Sequence, residues 1–240
     1  VHQQRGQHGP LAAAGQRHRI AAAAHLQGTE WHYRVSYRNS LITEWIPALD
    51  GVEARLRSGA RVADIGTGHG AALILLAQAY PASEFVGYDS HPGSIEVARK
   101  RAVEAGVSNR VRFEVVETTG YPTGEHDLVC FFDTLHDLSD PVGAAAHARR
   151  ALAPDGTLML FEPLAFDDLA PNLANNPGAA LYYGASTFLC VANSLSQPVG
   201  LGLGAQAGES RLRAVLAEAG YRHVRRVAES PFNMVLEARP

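Results

Sequence analysis

Two side chains of this chain stand where a proton could be moved. His136, in DTLHDLSD, has a ring that titrates near neutral pH, with an unperturbed pKa of about 6.5. As a general base such a group contributes about 10²- to 10⁴-fold to a rate. Glu162, in TLMLFEP, could orient an acceptor or serve as the base itself. His136 could instead cap or orient the helix that follows it, together with Asp137 and Asp140. A second set surrounds VADIGTGHG, where Gly66, Gly68 and Gly70 let backbone approach a bound ligand closely. Asp64 stands two residues before the first glycine, and an ionised carboxylate there repels a diphosphate and welcomes a cation. Asp89, roughly 25 residues on, can pair with ribose hydroxyls.

The elements that must position these groups follow from periodicity. RVADIG reads as a buried strand, GAALILLAQAYP as a helix closed by Pro81, and EFVGYD as a second strand. SIEVARKRAVEAG is a helix ending at Gly106, VRFEVVE a third strand and HDLVCFFD a fourth. Asp140 and Pro141 open the next helix as N-cap and first-turn proline, that helix runs to Leu152, and TLMLFEP is the fifth strand. Strand and helix alternating in this way predict a parallel sheet covered on both faces, with His136 and Glu162 at its ligand-binding edge.

Residues 163–208 then break the pattern with a segment dense in Asn, Pro and Gly, too long for an ordinary connection and suited to covering a site. SRLRAVLAEAG resumes as a helix. YRHVRRVAES and FNMVLEARP follow as two strands, and the short link at Ser230-Pro231 makes them an antiparallel pair. Ahead of the first strand, residues 30–59 predict one or two helices broken near Pro47. Residues 1–29 contain no acid and alternate Gln, Gly, Arg and His with alanine runs, as a disordered extension would.

Composition bounds the remaining possibilities. The chain has 240 residues, 46% hydrophobic and 19% charged, with a net charge of -3. That is enough for one sizeable core, and the charge gives no support for a nucleic-acid partner. Its two cysteines, Cys130 and Cys190, are far apart and suit a reducing, cytoplasmic setting. Neither they nor His69, His126, His147 and His223 show metal-ligand spacing, so no metal site is expected. No apolar run reaches the roughly 18 residues needed to span a bilayer, and no membrane partner is expected. Arg222, Arg225 and Arg226 read as a solvated face.

Gly66, Gly68 and Ala71 also satisfy the dinucleotide pattern G-x-G-x-x-G/A, so an oxidoreductase stays open on the glycines alone. Asp64 argues for a cationic ligand such as S-adenosylmethionine, which carries a sulfonium and an ammonium. VADIGTGHG, FVGYDSHPGSIEVARK, the acid ending VRFEVVE, DLVCFFDTLHDLSDP and TLMLFEP together resemble the successive motifs of class I S-adenosylmethionine-dependent methyltransferases, over residues 60–240. FFDTLHDLSDP, LYYGASTFLCVANSLSQPVGLGLGAQAGESRL and SPFNMVLEARP are together similar to an actinobacterial-type small-molecule group, many members of which carry an N-terminal winged-helix domain that often supports dimerisation. Only about sixty residues precede the first strand, so that domain is expected to be absent and the chain to be a monomer or homodimer.

The resemblance implies a Rossmann-like α/β/α sandwich with a mostly parallel seven-stranded sheet and an antiparallel C-terminal strand. S-adenosyl-L-methionine would be the cofactor and a small organic molecule, methylated at oxygen, the acceptor. It assigns Asp64 to the methionine ammonium, Gly66, Thr67, Gly68 and Gly70 to the close-approach loop, and Asp89 to the ribose, with Ser90 and His91 lining adenosine. Glu117 and Thr118 would meet the adenine edge, and Phe132 and Asp133 would sit under the sulfonium. The acid at the third strand's end is a glutamate here, longer than the usual aspartate. Tyr182, Tyr183 and Asn193 would shape the acceptor pocket, a tyrosine face favouring the sulfonium. A non-catalytic S-adenosylmethionine-binding regulator is the alternative from a different class.

Overall fold

The computed structural model describes residues 34–240, so the extension expected over residues 1–29 lies outside the described residues. Helix α1 covers 34–48, with Tyr37–Trp45 wound as a π-helix and Ile46–Ala48 closing it as an α-helix. As the sequence predicts, the helical stretch breaks close to Pro47, ending at Ala48 before the next helix starts at Val52. Pro47 sits in the final turn, next to Ile46, whose N–H donates to Leu41 O, five residues back. Helix α2 is Val52–Ser58.

The alternating region follows: β1 Arg61–Ile65, α3 Ala71–Ala79, β2 Glu84–Asp89, α4 Pro92–Glu104, β3 Val111–Val115 and β4 His126–Phe132. After a 3₁₀ turn at Leu135–Asp137 come α5 Pro141–Ala151 and β5 Leu152–Pro163. Asp140 caps α5, its Oδ1 accepting from Gly143 N–H at 2.8 Å, with Pro141 in the first turn. Strand β5 starts earlier than TLMLFEP, because Leu152 pairs with His126 across a bulge instead of extending the helix.

The 163–208 segment contains α6 Leu169–Asn175 and α7 over 179–195, whose middle stretch, Ser186–Cys190, is again π-wound. Helix α8 Glu209–Glu218, β6 His223–Glu229 and β7 Asn233–Arg239 complete the fold.

The seven strands form one sheet in the order β3-β2-β1-β4-β5-β7-β6. β1 to β5 are parallel, and β7 runs antiparallel to both β5 and β6. The two-residue period of a strand sorts side chains onto two faces. Val62, Leu128, Cys130, Phe132, Met159 and Phe161 join α1 to α4 in one core, while Ala63, Ile65, Val129, Phe131, Leu158 and Leu160 join α5 and α8 in the other. The result is a three-layer α/β/α sandwich. Strand order reverses at β1 and β4, and a crevice opens there beyond the strands' carboxyl ends.

Candidate active site

That crevice holds a cavity of about 310 Å³. Asp64, Gly66, Thr67 and Gly68 form its floor on the β1 side, Asp89 and Ser90 its β2 side, Thr118 its β3 side, and Phe132 and Asp133 its β4 side. The glycine loop has steric reasons for its residues. Gly66 has φ +72°, and a Cβ there would stand 2.3 Å from the Thr134 side chain; a Cβ on Gly68 would meet nothing within 4 Å, so only this glycine leaves open space beside the cavity. Gly70 is glycine for packing, since a Cβ would lie 2.5 Å from the Phe113 ring, and it does not reach the cavity wall.

Asp64 is buried, at 1% exposure. Its Oδ2 accepts from Thr67 Oγ1 at 2.7 Å, whereas Oδ1 is buried with no hydrogen-bond partner among the described residues. Burial first, and the Asp89 charge last, push its pKa up to about 7 against the pull of the Thr67 hydroxyl. Relative to an ordinary carboxylate, keeping Asp64 ionised here costs on the order of 4 kcal/mol. A cation brought to Oδ1 would offset that cost. Asp89 accepts Gly68 N–H at 2.9 Å on Oδ2 and His91 N–H at 2.8 Å on Oδ1, which fixes its carboxylate at the rim.

His136 and Glu162 meet below the wall on the β4–β5 side. His136 Nδ1 donates to Glu162 Oε2 at 2.5 Å, and Leu135 N–H donates to Glu162 Oε1 at 2.9 Å, so both carboxylate oxygens are engaged. The pair is almost wholly buried, with His136 at 3% and Glu162 at 1% exposure. Burial alone would lower the His136 pKa. The Glu162 charge, hydrogen bonds with Cys190 and Glu162, and the Asp133 charge outweigh it and hold the imidazole well above its usual range. Nε2 lies 3.5 Å from Asp137 Oδ1, and Asp137 is on the cavity wall.

The 163–208 segment docks on this same turn. Gly204 N–H donates to His136 O at 3.1 Å, Leu201 N–H to Ser139 O at 3.0 Å, and Ser194 Oγ to Leu138 O at 2.9 Å. Asn172, fully buried, ties the segment together by donating to Gln206 Oε1 and accepting from Phe166 N–H. Between Asp168 and Glu209 the segment contains no charged residue, so the cover beside the cavity is electrically neutral.

A model of a family described as a methyltransferase domain matches residues 56–220. The chain belongs to this family. Aklanonic acid methyltransferase DauC of Streptomyces sp. (strain C5) is 38% identical over 115 residues, 45% of this chain and 50% of that protein. Mouse acetylserotonin O-methyltransferase is 29% identical over 185 residues, 74% of this chain and 43% of that one. Among solved structures, the O-methyltransferase NcsB1 from neocarzinostatin biosynthesis, in complex with S-adenosyl-L-homocysteine and 1,4-dihydroxy-2-naphthoic acid, superposes with a TM-score of 0.66 at 20% identity, covering 92% of this chain and 58% of that one. At that identity the likeness is one of fold. The chain thus spans about half the length of the curated relatives it matches.

Not every residue expected at the site of this methyltransferase domain comes to the cavity. Asp64, Gly66, Thr67, Gly68, Asp89, Ser90, Thr118, Phe132, Asp133 and Asn193 line it. His91 does not: its ring accepts from Ser94 N–H at 3.1 Å and caps α4. Glu117 is exposed, because β3 ends at Val115 and the chain then presents Val116 and Thr118 inward and Glu117 outward. Tyr182 is packed in the hydrophobic core, and the Tyr183 hydroxyl accepts from Asn172 Nδ2 at 3.2 Å inside the cover.

Sequence reasoning missed Tyr37, which enters the wall from α1 and packs its ring 5.4 Å from both Phe132 and Phe161. It also missed Tyr88, His69 and Asp137. For Asp137 a signal existed, its place beside His136. Arg225 is likewise no free surface charge, since it pairs with the buried Glu237.

Proposed function

We propose that this chain is an S-adenosylmethionine-dependent methyltransferase that methylates a hydroxyl oxygen of a small, uncharged, largely apolar acceptor. The observation that carries the reading is Asp64: a buried carboxylate on the cavity floor with one oxygen satisfied and the other without a hydrogen-bond partner among the described residues. An ammonium group supplies the missing partner and the missing charge, whereas a pyrophosphate would be set against an acid. The dinucleotide alternative loses its support there.

Asp64 would hold the methionine ammonium, Asp89 the ribose hydroxyls, and Val116 and Thr118 the adenine edge, with Phe132 and Asp133 beside the sulfonium. Bound S-adenosylmethionine supplies an electrophilic methyl group on a sulfonium leaving group. The chain's own contribution is to hold the acceptor in line and to take its proton. His136 accepts that proton at Nε2, because Nδ1 already carries the hydrogen donated to Glu162. Glu162 is the positioning residue, fixing the tautomer and stabilising the imidazolium that forms. The acceptor hydroxyl takes the place of the Asp137 carboxylate, which is 39% exposed at the wall and 3.5 Å from Nε2. The neutral cover favours acceptors without charge, and the Tyr37 and Phe132 rings favour flat ones.

Turnover assays with a panel of phenols, carboxylates and amines test this directly. Methylation of phenols supports the reading. Binding of S-adenosylhomocysteine with no methylation of any acceptor would make the chain a regulator, and preferential binding of NAD would remove the reading altogether.

A further inference from the structure

The sequence shows no metal-ligand spacing, yet the fold assembles a ligand set from two distant segments. A ring nitrogen of His136, a carboxylate oxygen of Asp137 and Sγ of Cys190 lie within 4.8 Å of one another. His136 and Asp137 come from the 3₁₀ turn after β4, and Cys190 from the π-wound stretch of α7 in the cover. We propose that His136 Nε2, Asp137 and Cys190 form a binding site for a soft divalent cation of the Zn²⁺ class, and that its occupation silences methyl transfer by capturing the base.

Four features of the structure point this way. The donor set is nitrogen, oxygen and sulfur, which suits Zn²⁺ or Co²⁺ and not Mg²⁺ or Ca²⁺. Two ligand atoms about 2.0–2.1 Å from one tetrahedral ion lie about 3.4 Å apart; His136 Nε2 and Asp137 Oδ1 are 3.5 Å apart without any rearrangement. Asp137 Oδ1 is itself buried, and among the described residues no hydrogen bond of ordinary length completes it; the groups that face the carboxylate are His136 Nε2 and the Cys190 thiol. Finally, Glu162 accepts from His136 Nδ1, the arrangement of a carboxylate behind a metal-bound histidine that fixes the free nitrogen toward the ion. Three protein ligands leave a fourth position, and because Asp137 lines the cavity that position opens toward the acceptor.

On binding, the Cys190 thiol releases its proton to solvent, as does His136 if its Nε2 carries one. The thiolate and the Asp137 carboxylate then neutralise the dication. The silencing effect rests on the reading of His136 as base; the site itself does not.

The test uses the full chain, freed of metal with a chelator and titrated with Co²⁺. The expected result is a sulfur-to-cobalt charge-transfer band that saturates at one ion per chain, together with the visible bands of a tetrahedral ion. Cys130 is fully buried inside the sheet, so the sulfur band reports Cys190. Cys190→Ser should abolish that band, and Glu162→Gln should weaken the ion about 10- to 100-fold. Asp137→Asn provides a third variant should either of these fail to fold by circular dichroism, and it should lower affinity at least about tenfold. A native chain without the sulfur band, or a band that survives Cys190→Ser, overturns the site. In parallel, Zn²⁺ should suppress turnover of the native chain and spare Cys190→Ser. A saturated site with full turnover would overturn the silencing and the base assignment together while leaving the site standing, whereas turnover with no cobalt band would sink the site and leave the methyltransferase reading intact.

Discussion

Asp64 and Glu162 occupy the same station on different strands. Each is the penultimate residue of its strand, β1 or β5, each is 1% exposed, and both sit at the carboxyl edge of the sheet. Their environments differ in one respect. Both oxygens of Glu162 are used by the protein, one by Leu135 N–H and one by His136, whereas among the described residues Asp64 has Thr67 on one oxygen and no hydrogen-bond partner on the other. A buried acid whose hydrogen bonds are complete is a fixture. One left half-satisfied in a cavity stays costly until a ligand arrives, and on the proposed reading the two acids separate positioning from binding.

Four experiments would break or sharpen that contrast. His136→Ala removes the group that Glu162 positions and should lower kcat by about 10² to 10⁴, while S-adenosylhomocysteine affinity, read by calorimetry, stays within about twofold. Equal losses in both would mean that the two acids do not serve separate tasks.

Asp64→Asn should do the reverse, weakening S-adenosylhomocysteine about 10- to 100-fold, as expected for one hydrogen bond to a charged group. It should also stabilise the empty protein. The folded pKa of Asp64 is raised above its unfolded value, so the native state holds an extra proton and stability falls as pH rises from about 4 through about 7. Thermal melts at pH 8 should show a higher Tm for the variant, at roughly 2–4 °C per kcal/mol for a chain of this size. By the same linkage, native affinity for S-adenosylhomocysteine should rise with pH through about 7 and then level off, and the variant should show no such rise.

Glu162→Gln should reduce kcat about tenfold and move the inflection of the rate profile to lower pH. The Glu162 charge holds the His136 pKa up, and with His136 as the proposed base the rate should follow the neutral imidazole as pH rises through that pKa. An unmoved inflection would show that the titrating base is elsewhere. The smallest effect belongs to Asn193→Ala, which removes a cavity-wall amide whose Nδ2 donates to Asp137 O at 3.4 Å and whose Oδ1 accepts from Gln197 Nε2 at 3.3 Å. KM for the acceptor should change about two- to tenfold, the worth of one neutral hydrogen bond, with kcat unaltered.

The sheet and its order of elements were legible because two-residue and helical periods alternate cleanly from Arg61 to Pro163, and because Asp140-Pro141 is a local cap that needs no tertiary information. Asp64 was legible as chemistry because its charge is out of place in an apolar run. His91 also carried a local signal for the role it takes, since a residue directly before a first-turn proline is an N-cap candidate. Glu117 depended on where β3 ends: past Val115 the alternation of the strand no longer decides which side chains face the cavity. Tyr37 and Cys190 could not be read at all. Each lies in a π-wound helix whose extra backbone sets the direction of its side chains, and each meets its partners only through long-range packing.

The aromatic contact that Tyr37 makes has an optical consequence. Trp45 is one of only two tryptophans in the chain, and its ring lies 6.3 Å from Tyr37 and 4.7 Å from Phe161. A ligand filling the crevice would meet Tyr37 and so change the surroundings of an indole two turns away, which would give the molecule a native fluorescent gauge of its own occupancy, readable without label or coupled assay.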